Sequence, residues 1–148
     1  MRPRFRHRTM LAWCACLAAT IAPHPAGAEE ASAVEVVKAL FAAFNDHAPE
    51  RMAELVSEDF EIFYVAGSET SLGLRGPEAL HQEMTGYFGN YPTVHSEAEI
   101  AAVSGSYVAC REDVSWQHEG QERSQHSLAV YEVRDGKIRR TWYYPAER

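Results

Sequence analysis

In this chain of 148 residues the side chain best placed to do chemistry is a single acid, Glu112. It alternates with Val108, Cys110, Val114 and Trp116, so a strand through this segment turns its carboxylate toward the apolar side. A carboxylate held away from water has its charged form disfavoured and becomes usable as an acid or a base near neutrality. Two other readings stay open: Glu112 pairs with Arg140, or it sits at a wet rim, and in both it has no catalytic role. Tyr144 is expected on the same side nearby, and Tyr64 at the mouth of the hollow. Their phenols would serve a developing oxyanion, which makes Glu112 and Tyr144 the candidate catalytic pair.

The remaining candidates are weaker in kind. His81 flanks the apolar stripe of a helix, His118 ends an inward strand row, and His126 falls on the outward row. No HExxH, CxxC or His-x-His spacing occurs, so the sequence predicts no metal site. Cys110 has no basic neighbour in sequence and reads as an inert buried thiol. No glycine-rich loop joins a strand to a helix, so nucleotide binding has no support, and the implied chemistry needs no cofactor. Trp116, Tyr131, Trp142 and Tyr144 recur at strand spacing. They either pack the core or line a cavity for a flat, apolar ligand, together with Tyr64, His81, Gln125, Ser127 and Ala129.

These placements depend on strands whose turns set their phase. Asp135-Gly136 predicts a two-residue hairpin, because both central positions of a type I′ turn need positive φ. That loop sets Val133 against Ile138, Tyr131 against Arg140 and Ala129 against Trp142. Glu119-Gly120 predicts a second hairpin, pairing Trp116 with Arg123, Val114 with Gln125, Glu112 with Ser127 and Cys110 with Ala129. A three-residue loop at Ser104-Gly105-Ser106 keeps Ala98, Ile100 and Ala102 beside Glu112, Cys110 and Val108. Both hairpins select one inner face, since a slipped register would invert every side chain. That face holds Ala98, Ile100, Val108, Cys110, Val114, Trp116, Ala129, Tyr131, Val133, Ile138, Trp142 and Tyr144. The outer face is polar, with Glu132 and Arg139 among its solvated residues, except at Leu128, Val130 and Tyr143, a candidate centre for a sheet-to-sheet homodimer.

Upstream, Ser32 is expected to cap a helix carrying Val34, Val37, Leu40, Phe41 and Phe44 at helical spacing. Pro49 opens a short second helix with Met52, Leu55 and Val56 inward. Asp59 to Val65 reads as a strand and Thr70 to Leu74 as another. Gly76-Pro77-Glu78 then starts a third helix with Leu80, Met84 and Phe88 on one face.

The amino terminus is set apart by charge. Arg2, Arg4, Arg6 and Arg8 precede an apolar stretch from Met10 to Ala22, and Ala26 and Ala28 are the small residues a signal peptidase accepts. Cleavage is expected before Glu29, leaving residues 29–148 as one domain and delivering it to the periplasm or the outside of the cell. The apolar stretch, about 20 Å as a helix, is too short to span a roughly 30 Å hydrocarbon core. The chain has 14 basic and 21 acidic residues. Losing the four arginines leaves 10 basic residues, a net charge of −11, which disfavours nucleic acid and anionic membrane as partners. Hydrophobic residues make up 46% of the chain, enough for one core, and Cys110 alone forms no disulfide within the mature chain.

The order helix, helix, strand, short strand, helix and four long antiparallel strands resembles the nuclear transport factor 2-like, or SnoaL-like, superfamily. Its local marks are Leu55-Val56-Ser57-Glu58-Asp59-Phe60, Gly73-Leu74-Arg75-Gly76-Pro77-Glu78-Ala79-Leu80, and Val130-Tyr131-Glu132-Val133-Arg134-Asp135-Gly136-Lys137-Ile138. The resemblance implies a cystatin-like, cone-shaped α+β barrel, with three helices packed on a curved, mainly antiparallel sheet. It also implies a conical cavity for a small, largely apolar molecule, and chemistry of the isomerase, cyclase or dehydratase type. The ketosteroid isomerases in this superfamily use a carboxylate base with a tyrosine and a protonated aspartate. Their base position falls on Tyr64 here and their oxyanion aspartate on Ala129, so the resemblance extends to the scaffold and not to that chemistry. A non-catalytic ligand-binding or dimeric assembly module is the alternative from a different class.

Overall fold

The computed structural model describes residues 25–147. Most of the expected targeting segment lies outside them, and its proposed cleavage point falls in the first turns of a helix, α1 (Pro25–Asn45). Because α1 begins upstream of Ser32, that serine lies inside the helix and does not cap it. Ala33, Val37, Leu40, Phe41 and Phe44 form its inward stripe, with Val37 fully buried. The helix stops at Asn45, and His47 takes the left-handed conformation (φ 49°) that turns the chain.

Pro49, its missing N–H harmless in a first turn, opens α2 (Pro49–Glu54). Val56, expected in that helix, instead begins β1 (Val56–Ala66), which pairs with β2 (Glu69–Arg75). Pro77 opens α3 (Pro77–Asn90), and β3 (His95–Ser104), β4 (Tyr107–His118), β5 (Gln121–Arg134) and β6 (Lys137–Tyr143) follow. The six strands form one sheet in the order β2-β1-β6-β5-β4-β3, antiparallel except where β1 runs parallel to β6. With α1 laid across its inner side, α3 packed on β1 and β2, and α2 packed on α1 and α3, this is the cone-shaped α+β fold.

The β4–β5 register matches the expected one residue by residue: Cys110 faces Ala129, Glu112 faces Ser127 and Val114 faces Gln125. Ala98 faces Glu112 and Ile100 faces Cys110, also as expected. A shift after Ile100 then sets Ala102 against Ala109 rather than Val108 and pairs Ser104 with Tyr107, so the loop is the two residues Gly105 and Ser106 and not three. The β5–β6 register differs. Asp135 and Gly136 both have positive φ, at 51° and 72°, and Val133 does face Ile138. A bulge then shifts the ladder, so Glu132 faces Arg140, Tyr131 faces Thr141, Val130 faces Trp142 and Ala129 faces Tyr143. Strict alternation would have sent Arg140 into an apolar interior. The extra residue lets both consecutive arginines stay outside, where Arg139 bonds Asp59 at 2.8 Å and Arg140 bonds Glu61 at 3.2 Å and Glu132 at 3.3 Å. Thr141 and Tyr143 therefore replace Trp142 and Tyr144 on the inner face. Glu132, expected in solvent, is 1% exposed and held by Arg134 at 2.5 Å as well as by Arg140.

One polar clamp ties the helical layer to the sheet. Asn45 Nδ2 donates to the Ser96 carbonyl at 2.8 Å, and the Ser96 N–H donates to Asn45 Oδ1 at 2.8 Å. His47 Nε2 donates to the Val94 carbonyl at 2.9 Å while its ring stacks on Phe88. Asn45→Ala leaves two partly buried backbone groups of Ser96 without partners, so it should destabilise the fold by about 2 kcal/mol. Thermal denaturation should show a midpoint several degrees below that of the unaltered chain.

Candidate active site

Between α1, α3 and the inner face of the sheet lies a cavity of about 290 Å³. Its helical wall is Leu40, Phe41 and Phe44 of α1 with Leu80, Glu83, Met84 and Tyr87 of α3, the latter at the i, i+3, i+4, i+7 positions that share a helix face. Its sheet wall is Phe60, Ile62 and Tyr64 of β1, Ser96 of β3, Glu112 and Val114 of β4, Gln125, Ser127 and Tyr131 of β5, and Thr141 and Tyr143 of β6. The period-two alternation of strands brings these residues to one side, and the β6 bulge puts Thr141 and Tyr143 among them.

Glu112 is the chemical centre. It is 6% exposed, and the Tyr131 hydroxyl donates a hydrogen bond to its Oε1. The Tyr131 and Tyr143 hydroxyl oxygens lie 3.3 Å apart, extending the chain to three groups. Burial pushes the Glu112 carboxyl up to about 7, against a smaller opposite effect from the Tyr131 bond. Burial and then the adjacent Glu112 charge hold Tyr131 and Tyr143 well above the ordinary phenol range, so both remain donors at neutral pH. Beneath them, burial and the Glu112 charge push the Cys110 thiol up to about 12, which keeps it an un-ionised buried thiol. Tyr64 stands at the mouth, 52% exposed, with its ring lying over the bare α-carbon of Gly73. Burial, then the Glu83 charge, raises its pKa.

The structure thus brings together Glu112, Tyr64, Gln125, Ser127 and Tyr131. It leaves the other expected site residues elsewhere. Tyr144, expected beside Glu112, is 38% exposed on the outer side, because the bulge reverses the last residues of the sheet. Trp142 is turned outward by the same bulge and stacks on Phe63 with ring centroids 6.0 Å apart. Trp116 lies beyond the cavity's end at Val114 and packs edge-on against Tyr91. Ala129 is fully buried but does not line the cavity. His81 falls on the stripe of α3 that faces α2, its Nε2 3.7 Å from Glu50 Oε1. Arg140 is engaged with Glu61 and Glu132, so among the described residues Glu112 has no guanidinium partner, and its burial also removes the wet-rim reading.

Tyr143, Thr141, Glu83, Tyr87 and Ser96 are lining residues that sequence reasoning missed. Ser96 alone had a legible signal, since it alternates with the outward His95 and Glu97. The helical aromatics gave none, because a core residue and a cavity-lining residue share one periodicity.

The family profile described as a SnoaL-like domain matches residues 37–141. This chain belongs to the SnoaL-like domain family. It thereby joins the nuclear transport factor 2-like superfamily, as its fold indicates. No curated protein matches the SnoaL-like chain in sequence. Among solved structures, IdmH from Streptomyces antibioticus, a candidate polyketide cyclase, is 20% identical with a TM-score of 0.63, covering 78% of this chain and 91% of its own. An LEH-like epoxide hydrolase from M. tuberculosis is 19% identical with a TM-score of 0.62, covering 78% of this chain and 84% of its own. A candidate ketosteroid isomerase from Kribbella flavida is 17% identical with a TM-score of 0.63, covering 81% of each chain. At such identities the likeness establishes a shared fold and no shared reaction.

The raised Glu112 carboxyl makes a pH prediction for this SnoaL-like domain. Its folded pKa of about 7 exceeds the ordinary value of 4.5, so the protonated form favours the folded state. That contribution is complete below about pH 4.5 and is lost as pH rises through about 7. Relative to Glu112→Gln, whose amide does not titrate, the unaltered protein should lose about 3 kcal/mol of stability across this window. Urea denaturation of both proteins between pH 4.5 and pH 8 reads the difference directly.

Proposed function

We propose that this domain binds a small, uncharged, largely apolar carbonyl compound in its cavity and moves a proton beside the carbonyl, with Glu112 as a cofactor-free acid–base. The observation that carries this reading is a buried carboxyl, pushed up to about 7 by that burial, in a cavity whose lining among the described residues holds no lysine, arginine or histidine. Without a fixed cation, an anionic ligand would meet Glu112 and Glu83 with nothing to offset them. Aromatic and aliphatic walls suit an apolar skeleton.

As carboxylate, Glu112 takes a proton from the carbon next to the carbonyl, and the C–H electron pair becomes the enolate double bond. The Tyr131 hydroxyl supports the carboxylate, and the Tyr143 hydroxyl is the nearest phenol to hold the enolate oxygen. In a β,γ-unsaturated ketone the enolate is a dienolate, and return of the proton from Glu112 to its γ-carbon re-forms the carbonyl and completes an isomerisation. Attack of the enolate carbon on a second carbonyl, whose oxygen takes the proton back from Glu112, begins a cyclisation. The scaffold shared with a candidate cyclase and a candidate isomerase agrees with this class of step.

The non-catalytic alternative keeps the cavity as a binding site only. The outer face adds support for a homodimer in either case. Leu72, Phe63, Trp142 and Val130 form an apolar row across β2, β1, β6 and β5, continued by Leu128, and both leucines are well exposed. We place the domain outside the cytoplasm, on the strength of the basic and apolar segments preceding residue 29.

Deuterium exchange at the carbon beside the carbonyl of 1-tetralone, followed by NMR, tests the reaction. The protein should accelerate exchange, with a rate that rises through about pH 7, and Glu112→Gln should lower it about 100-fold or more. Exchange unaffected by that substitution would remove Glu112 from the mechanism, and binding of tetralone without exchange would favour the binding module. Light scattering should give twice the chain mass, and Leu128→Asp should halve it.

A further inference from the structure

We infer that Ser96 is a second polar anchor in the cavity, meeting a ligand oxygen separate from the one that Glu112 meets, so that the ligand is an uncharged apolar skeleton bearing two oxygen functions. The inference rests on the cavity being the ligand site, as proposed above, and adds what its occupant must carry.

Ser96 is 3% exposed, lines the cavity, and its hydroxyl has no hydrogen-bond partner among the described residues. Folded proteins satisfy nearly all buried polar groups, and a hydroxyl left alone costs free energy that an alanine would not. Local backbone groups do not serve as its partners. The Ser96 N–H and carbonyl are both engaged by Asn45, which also fixes the position of the residue on β3.

Ser96 faces Val114 across the ladder, while Ala98 faces Glu112. Ser96 and Glu112 are therefore diagonal neighbours on one face, their backbones roughly 7 Å apart. The small Ala98 leaves space between them. A hydroxyl both donates and accepts, so it suits a ligand hydroxyl or carbonyl. Strand side chains stand roughly perpendicular to the sheet, so the diagonal spacing of Ser96 and Glu112 carries to their tips. It exceeds the about 5.6 Å that one oxygen spans between two hydrogen bonds, so a single oxygen cannot reach both.

Calorimetric titration of the full chain with 1-tetralone and its ring-hydroxylated isomers tests the assignment, with Ser96→Ala run in parallel. At least one isomer should bind the unaltered protein about 5- to 10-fold tighter than the parent ketone, as one added neutral hydrogen bond provides. Ser96→Ala should abolish that preference while leaving the affinity for 1-tetralone within about twofold, and its ligand-free melting temperature should equal or exceed that of the unaltered chain. Equal binding of parent and isomers, a preference that survives Ser96→Ala, or a ligand-free melting temperature several degrees lower would each overturn the role of Ser96 and leave the cavity reading standing. Failure of the unaltered protein to bind any of these ketones would overturn the ketone-cavity reading, and the second anchor with it.

Discussion

The cavity is organised by one unbalanced charge: a carboxyl taken out of water with a phenol, and no cation, beside it. Removing a carboxylate from water is unfavourable unless a counter-ion or hydrogen bonds compensate. Here Tyr131 supplies a hydrogen bond and, among the described residues, no positive charge does, so Glu112 holds its proton to about neutral pH. The aromatic walls, the small residues beside Glu112 and the high phenol pKa values all belong to this environment. Were an arginine admitted to the interior, Glu112 would become an ordinary ion pair.

The sheet prevents that by sorting charges between its faces. On the outer side, Arg75, Glu61, Arg140, Glu132 and Arg134 alternate in sign as a ladder across β2, β1, β6 and β5. The β6 bulge makes the sorting work. It places two consecutive arginines on carboxylate partners outside and turns Thr141 and Tyr143 toward the cavity. One inserted residue therefore determines both the integrity of the outer ladder and the third member of the Glu112–Tyr131–Tyr143 chain.

This division also explains what could be read from the sequence. The three helices, the six strands and the Glu112–Ser127 pairing were legible because apolar periodicity and two tight turns specify them. Tyr143 and Tyr144 were exchanged because a bulge has no signature as strong as Asp135-Gly136, and a parity error reverses everything beyond it. His81 and Trp116 were misplaced for another reason: each lies at the margin of a correctly read stripe, where a rotation of a fraction of a turn decides which neighbour it meets. The cavity itself was indistinct, since Phe41, Phe44 and Tyr87 would look the same had the interior been filled.

The position of β6 has a consequence for the order of folding. Formed from residues 137–143, it lies between β1 and β5, so residues 56–75 and 95–134 make two separate ribbons until it arrives. Its parallel alignment with β1 joins segments some eighty positions apart, a long loop to close before any contact compensates for the lost freedom. A growing chain therefore lacks the seam of its sheet until residue 143 has been made, and the hollow takes shape only with it.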